Sequence, residues 1–207
     1  MRTRDTTNIP DSQELVYKPL TLERWGDFVR LFSEPGVQHG CWCMYWRVKR
    51  SEFHRCYGDK NKRTMKKIIT SGRIPGIIAY HKQDPVGWCS IAPRDDFPVL
   101  DRSPTLKRID ARSVWSIVCL FITRAQRGKG LTHALIQAAI KHAERNGARI
   151  IEAYPIFSAE SNYAKWELYT GLVSTFDKLG FKIAARRSKV RPIMRLCISG
   201  VRGQVLQ

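Results

Sequence analysis

An α/β domain with a mixed, mostly antiparallel sheet flanked by helices is the fold this sequence predicts. Short apolar runs of strand length alternate with segments of helical period. One of those segments, Leu131–Arg145, is long and regular enough to stand as the major helix. The 207 residues, 43% of them apolar, supply one substantial core and are marginal for two.

Each element has its own signal. Residues 1–14 read as a loose polar tail broken by Pro10 and Asp11, which leaves 15–207 as the domain. Leu15–Leu20 reads as a short strand. Thr21 is placed to cap a helix in which Trp25, Phe28, Leu31 and Phe32 share one face. The Cys- and Trp-rich run Gly40–Arg47 follows, and Asp59 opens a second helix, Lys60–Thr70, that ends near Gly72. Gly76–Tyr80 and Val86–Ile91 read as paired strands around a Gln83-Asp84-Pro85 turn. Pro93–Asp110 is irregular, with a helical turn expected near Leu106. Val114–Ile122 is long enough for the middle of a sheet. The major helix stops at Gly147, Arg149–Tyr154 is a strand closed by Pro155, and a further helix ends at Lys178-Leu179-Gly180. Phe181–Ala185 and Ile193–Ile198 form a final strand pair.

Charge and cysteine usage narrow the classes further. Lys and Arg number 36 against 18 Asp and Glu, a net charge of +18. The charge gathers at Arg47–Arg73 (net +8), Arg124–Arg149 (net +5) and Lys182–Arg202 (net +7). Such clusters suit a polyanion, a phosphorylated cofactor or an acidic substrate, and equally serve as solvated faces. A membrane span needs roughly 20 apolar residues, and no run approaches that. The polar start offers no core of a secretion signal, so a cytoplasmic home is expected. The six cysteines lie mostly in apolar stretches, as reduced buried thiols do. His39, Cys41, Cys43, His54 and Cys56 could be drawn as a zinc site, but Cys-x₂-Cys spacing is missing, and no metal is expected.

The informative segment is Ile122–His133, where a buried strand enters a glycine turn that opens the major helix. A helix mouth presents unpaired amides and the positive end of the dipole, which hold phosphate oxygens. Gly128 and Gly130 allow close backbone approach, and Arg127 and Lys129 add charge. The Walker spacing is absent, and a dinucleotide fingerprint from Gly128 would need glycine where His133 stands. The other reading is a glycine turn without a ligand.

Arg127-Gly128-Lys129-Gly130-Leu131-Thr132 resembles the pyrophosphate-binding signature of GNAT-superfamily acyltransferases, Arg/Gln-x-x-Gly-x-Gly/Ala. Arg127 and Gly130 match, and Thr132 departs at the last small position. The strand order, Val86-Gly87 in the hairpin and Phe176–Phe181 extend the resemblance over most of the chain. It is also similar to a subgroup bearing Cys-Trp-Cys-Met-Tyr-Trp-Arg, here Cys41–Arg47, and Glu-Ala-Tyr-Pro, here Glu152–Pro155. The resemblance implies a single GNAT-like domain using acetyl-CoA as cosubstrate. Its donor-contacting strand positions fall on Leu120 and Ile122. The Leu120 N–H would polarise the thioester carbonyl, and amides from Gly128 to Thr132, Leu131 included, would carry the pyrophosphate.

Acid and base roles are assigned from what remains. The family's carboxylate position on this strand holds Ser116, so Glu152 is the candidate base, with Asp110 in reserve; the alternative for Glu152 is a structural ion pair. Phe176 replaces the family's general-acid tyrosine, which leaves Tyr169 or water to protonate the departing thiolate. Cys119 as a covalent nucleophile is set against an inert core cysteine. Trp42, Tyr45 and Trp46, with Trp88 and Arg94 opposite, are expected to line the acceptor pocket, and core packing is the competing explanation. The function implied is direct acetyl transfer to a primary amine, small or carried on a macromolecule. The rival is a degenerate module of the same fold binding nucleic acid or another polyanion, although no nucleic-acid motif is present. A homodimer is left open, and no membrane partner is expected.

Overall fold

The computed structural model describes residues 15–35, 37, 40–157 and 165–198, the side chains of 165–167 excepted. The expected tail, residues 1–14, and the end of the expected domain, residues 199–207, lie outside these. A seven-stranded sheet runs in the order β1-β2-β3-β4-β5-β7-β6. Its strands are β1 (Leu15–Pro19), β2 (Gly76–His81), β3 (Asp84–Pro93), β4 (Trp115–Ile122), β5 (Ile150–Ala153), β6 (Lys182–Ala185) and β7 (Ile193–Cys197). Every neighbouring pair is antiparallel except β4 and β5. That parallel step requires a crossover, and the major helix makes it.

The helices are α1 (Trp25–Phe32), α2 (Arg50–Arg55), α3 (Asp59–Thr70), α4 (Pro98–Arg102), α5 (Leu131–Arg145) and α6 (Val173–Lys178). Helix α5 has the bounds its periodicity predicts. It buries Leu131, Leu135, Ile136, Ala139 and Ala143 against the sheet face that carries Ile77, Cys89, Ile117 and Leu120. Each buried aliphatic contributes about 1.5–3 kcal/mol. Helices α1 and α3 cover the other face, where Phe28, Leu31, Phe32, Met65 and Ile68 pack on Ile78, Tyr80 and Trp88. Beside them, α4 and the following loop cover the β4–β5–β7 end with Phe97, Leu100 and Leu106.

Local details depart from the sequence reading. Thr21 makes no side-chain cap; a 3-10 turn at Leu22–Arg24 precedes α1, and Thr21 Oγ1 accepts instead from Arg24. The β2–β3 turn is at Lys82-Gln83, with Lys82 at φ 58°, while Asp84 and Pro85 already belong to β3. Proline fits there because a register shift at Ala79/Tyr80 interrupts the ladder opposite it. The short helices α2 and α4 lack the length for a periodic signal, while the turn expected near Leu106 is present, closed by Lys107 N–H donating to Ser103 O at 3.0 Å. Among the described residues no helix is long and apolar enough to cross a membrane.

Candidate active site

Strand β4 is paired along its whole length on one side and for only part of it on the other. It pairs with β3 from Trp115 to Ile122, but with β5 only at Trp115, Ser116 and Ile117. The β3 register shifts between Ser90 and Ile91, which leaves Val118 as an extra residue on β4. From that bulge onward the β5-side edge of β4 has no strand partner among the described residues. The pleat tells which residues face this edge. Thr123 donates to Val86 O of β3 at 3.0 Å, so the alternate residues Ile122 and Leu120 turn their peptide groups the other way. The Ile122 carbonyl does so visibly, accepting Arg127 Nε at 2.9 Å. The Leu120 N–H therefore points into the opening between β4 and β5, and its side chain lies 3.1 Å from where a Cβ on Gly171 would stand.

The strand ends in a 3-10 turn, Arg124–Gln126, and then the glycine turn. Gly128 and Gly130 sit at φ 77° and 76°, a region that disfavours side chains with a Cβ. A Cβ on either would meet nothing within 4 Å, so the glycines are needed for backbone conformation and leave open space above them. Helix α5 has no side-chain N-cap, and the amides from Gly128 through Thr132 donate to no acceptor among the described residues. Such a run of bare amides at the positive end of a fifteen-residue helix fits a diphosphate. Arg127 is exposed and tied to Ile122 O, with its guanidinium 5.9 Å from the Phe121 ring centroid.

On the other face of β4, Gly40–Arg47 folds into a turn against the strand, with Trp42 and Cys43 at positive φ (46° and 56°). Strain of this kind in non-glycine residues persists only where surroundings enforce it. Cys43 Sγ accepts from Trp88 Nε1 at 3.4 Å. The Cys119 thiol also donates to it, and with the Arg47 charge this outweighs burial and brings the Cys43 thiol down to about 6. Cys119 is the protonated partner, raised by that same bond and by burial, which removes it as a nucleophile. Tyr169 lies beside this cluster, its ring 6.2 Å from that of Tyr45, which stands 5.0 Å from Trp46. Burial, then the neighbouring Tyr45, pushes the Tyr169 hydroxyl up, so it stays a proton donor across the neutral range. Trp46 is 8% exposed, and its indole N–H finds no acceptor among the described residues.

The expected acceptor residues thus divide. Tyr45, Trp46 and Tyr169 come together beside β4. Trp42 and Trp88 do not join them: Trp42 stacks on Phe32 at 5.7 Å and Trp88 is fully buried edge-on to Phe28, both as core of the α1 face. Arg94 is 2% exposed and belongs to a separate interior network.

That network holds Glu152. Its Oε2 accepts from Arg94 Nη1 and from the Tyr154 hydroxyl, each at 2.8 Å, and its Oε1 accepts from Arg195 Nε at 2.8 Å. Arg94 continues to Asp101 (2.7 Å) and Arg195 to Asp110 (2.6 Å). Tyr154 spends its one proton on Glu152, so Ser116, 2.8 Å away, donates to it. Burial and then the Glu152 charge keep Tyr154 protonated. With both carboxylate oxygens held by donors and 1% of the residue exposed, Glu152 is engaged in ion pairs and shut off from solvent. The ion-pair alternative is what the geometry favours. The reserve base, Asp110, is likewise held, its carboxyl kept well below the usual range by Arg195 and then Arg112. Period-2 spacing puts Tyr154 on the face of Glu152, a signal present in the sequence; Arg195 is visible only through the β5–β7 register, where it stands opposite Glu152. Among the described residues no group of His, Cys, Asp and Glu is arranged to hold a metal ion; His39 of the drawn zinc set lies outside them.

The model of the acetyltransferase (GNAT) family matches residues 40–172. No curated protein matches the sequence. Solved structures share the fold at low identity. The PaiA N-acetyltransferase from Thermoplasma acidophilum in complex with coenzyme A is 13% identical, with a TM-score of 0.51 over 89% of this chain and 99% of that one. Mosquito arylalkylamine N-acetyltransferase like 5b is 11% identical, with a TM-score of 0.55 over 89% and 100%. A chain of the NatC complex bound to Gag peptide and CoA is 15% identical, with a TM-score of 0.51 over 90% and 99%.

Proposed function

The chain belongs to the acetyltransferase (GNAT) family, and from that premise we propose that it moves an acetyl group from acetyl-CoA to a primary amine by direct transfer. The observation that carries the proposal is the run of undonated amides at Gly128–Thr132, set at the end of a strand whose next edge is open. Acetyl-CoA supplies the activated acyl group. The amides of Gly128, Lys129, Gly130, Leu131 and Thr132 bind its diphosphate, with Arg127 and Lys129 adding charge. The Ile122 N–H and the open edge of β4 hold the arm in extended form, since the Ile122 carbonyl is taken by Arg127. The Leu120 N–H donates to the thioester oxygen, where negative charge grows as the amine attacks, an effect of a few kcal/mol for one fixed donor.

The acceptor enters from the Tyr45–Trp46–Tyr169 side. A thiolate leaves without needing an acid, and its later protonation comes from Tyr169 or from water; burial, which holds the proton on Tyr169, makes that phenol a weaker acid. The amine sheds its proton to solvent, because Glu152 and Asp110 are both engaged by arginines. Of the neighbours named above, one is named for an arylalkylamine and another is bound to a Gag peptide, so they do not fix the acceptor of this chain.

Thermal melting with acetyl-CoA, followed by an amine screen for thiol release, tests this reading. Stabilisation that rises with cofactor concentration and thiol release dependent on an amine are expected. Strongly salt-dependent binding of a mixed oligonucleotide without cofactor stabilisation would replace it with the polyanion-binding module.

A further inference from the structure

The buried arginines among the described residues are neutralised by acids: Arg94 by Glu152 and Asp101, Arg195 by Glu152 and Asp110, Arg47 by Asp96. Arg50 and Arg191, on the acceptor side of β4, have no acid beside them among the described residues. Arg191 is half-buried, and among the described residues its guanidinium donates to two neutral oxygens, Thr170 Oγ1 (2.6 Å) and the Tyr154 carbonyl (2.9 Å). Thr170 adjoins Tyr169, and across the Tyr169–Tyr45 pair Arg50 lies over the Tyr45 ring at 3.7 Å. In the loop that carries Arg191, Arg187 donates to the carbonyls of Lys107 and Arg108, and Lys189 is exposed. That loop lines an open depression of about 330 Å³, with Arg187, Ser188 and Lys189 among the described residues of its wall. Among the described residues Arg50, Arg187, Lys189 and Arg191 have no acidic partner.

We propose that the acceptor is an amine that also carries an anionic group, a carboxylate or a phosphate, which Arg191 and the Arg187–Lys189 edge receive while the amine lies beside the Tyr45–Tyr169 pair. This rests on the acetyltransferase reading and narrows its acceptor. A half-buried guanidinium hydrogen-bonded only to neutral oxygens keeps its full charge unbalanced, and its planar fork matches the two anionic oxygens of either group. The same positive field disfavours an ammonium and so eases loss of the amine's proton, in a site where both candidate carboxylates are occupied. A cationic amine such as a polyamine is repelled by the same field.

The test uses the full chain saturated with acetyl-CoA and two matched pairs of acceptors: β-alanine against propylamine, and O-phosphoethanolamine against ethanolamine. Thiol release gives kcat and KM, and calorimetry on the CoA-loaded protein gives binding. The anionic member of at least one pair is expected to have kcat/KM about tenfold or more above its neutral partner, the factor of one charge-assisted hydrogen bond. Which pair shows the larger gap tells carboxylate from phosphate. The gap shrinks as salt rises. Arg191→Gln closes it by raising KM for the anionic amine alone, and the exposed pair Arg187→Gln/Lys189→Gln narrows it without touching Thr170. Equal or better use of the neutral amines, with no preference in binding, would overturn the inference and leave the transferase reading intact. Oligonucleotide capture that leaves β-alanine kinetics unchanged would assign the strip to nucleic acid instead. Absence of acetyl-CoA stabilisation would remove the transferase reading, and the inference with it.

Discussion

Glu152 shows how far a single residue can be read from sequence. Its place on a strand beside the central one is legible, and so is the choice between base and ion pair. What decides the choice is three-dimensional: Arg94 arrives from the end of β3 and Arg195 from β7, at 2.8 Å each. A paired buried carboxylate is costly to break because two guanidinium groups are left short of an acceptor. Glu152→Gln is therefore expected to cost about 3 kcal/mol and on the order of 10 °C in Tm, with kcat at a permissive temperature changed by no more than about twofold. Thermal melting beside steady-state kinetics checks this. An unchanged Tm with a loss of about a hundredfold in kcat would restore the base. Trp42 and Trp88 make the same point about aromatics: residue type alone does not say which side of a strand a ring will occupy, and both went to the core.

Elements with strong periodicity or clear punctuation were legible, and short ones were not. Helix α5 stands as its fifteen-residue pattern predicts, whereas α2 and α4, of six and five residues, are set by packing against the sheet. The bulge at Val118 has no sequence signature, since it arises from the β3–β4 register, yet it lies where β4 loses its second neighbour. The mouth of α5 was readable through its glycines. Gly130 is left-handed with open space where a Cβ would project, so Gly130→Asp, a residue tolerant of that conformation, is expected to leave the fold nearly intact. Its carboxylate would stand among the bare amides and abolish stabilisation by acetyl-CoA, read as the shift in Tm at saturating cofactor. Retained stabilisation would show that the diphosphate lies elsewhere.

At the scale of the whole molecule, the +18 charge is spent unevenly. Composition left an anionic partner and solvated faces equally open, because paired and unpaired arginines look alike in sequence. Folding sorts them: the buried ones meet carboxylates brought from distant elements, and among the described residues Arg191 does not. The sheet order does the other half of the work, since a parallel β4–β5 step joined through α5 brings the helix mouth and the open edge of β4 together. The most direct measurement is a titration of the isotope-labelled chain with coenzyme A, following backbone amide resonances. The amides of Gly128–Thr132 and of Leu120 are predicted to shift together and to saturate together. Undisturbed resonances there, with shifts gathered on another face, would contradict the account.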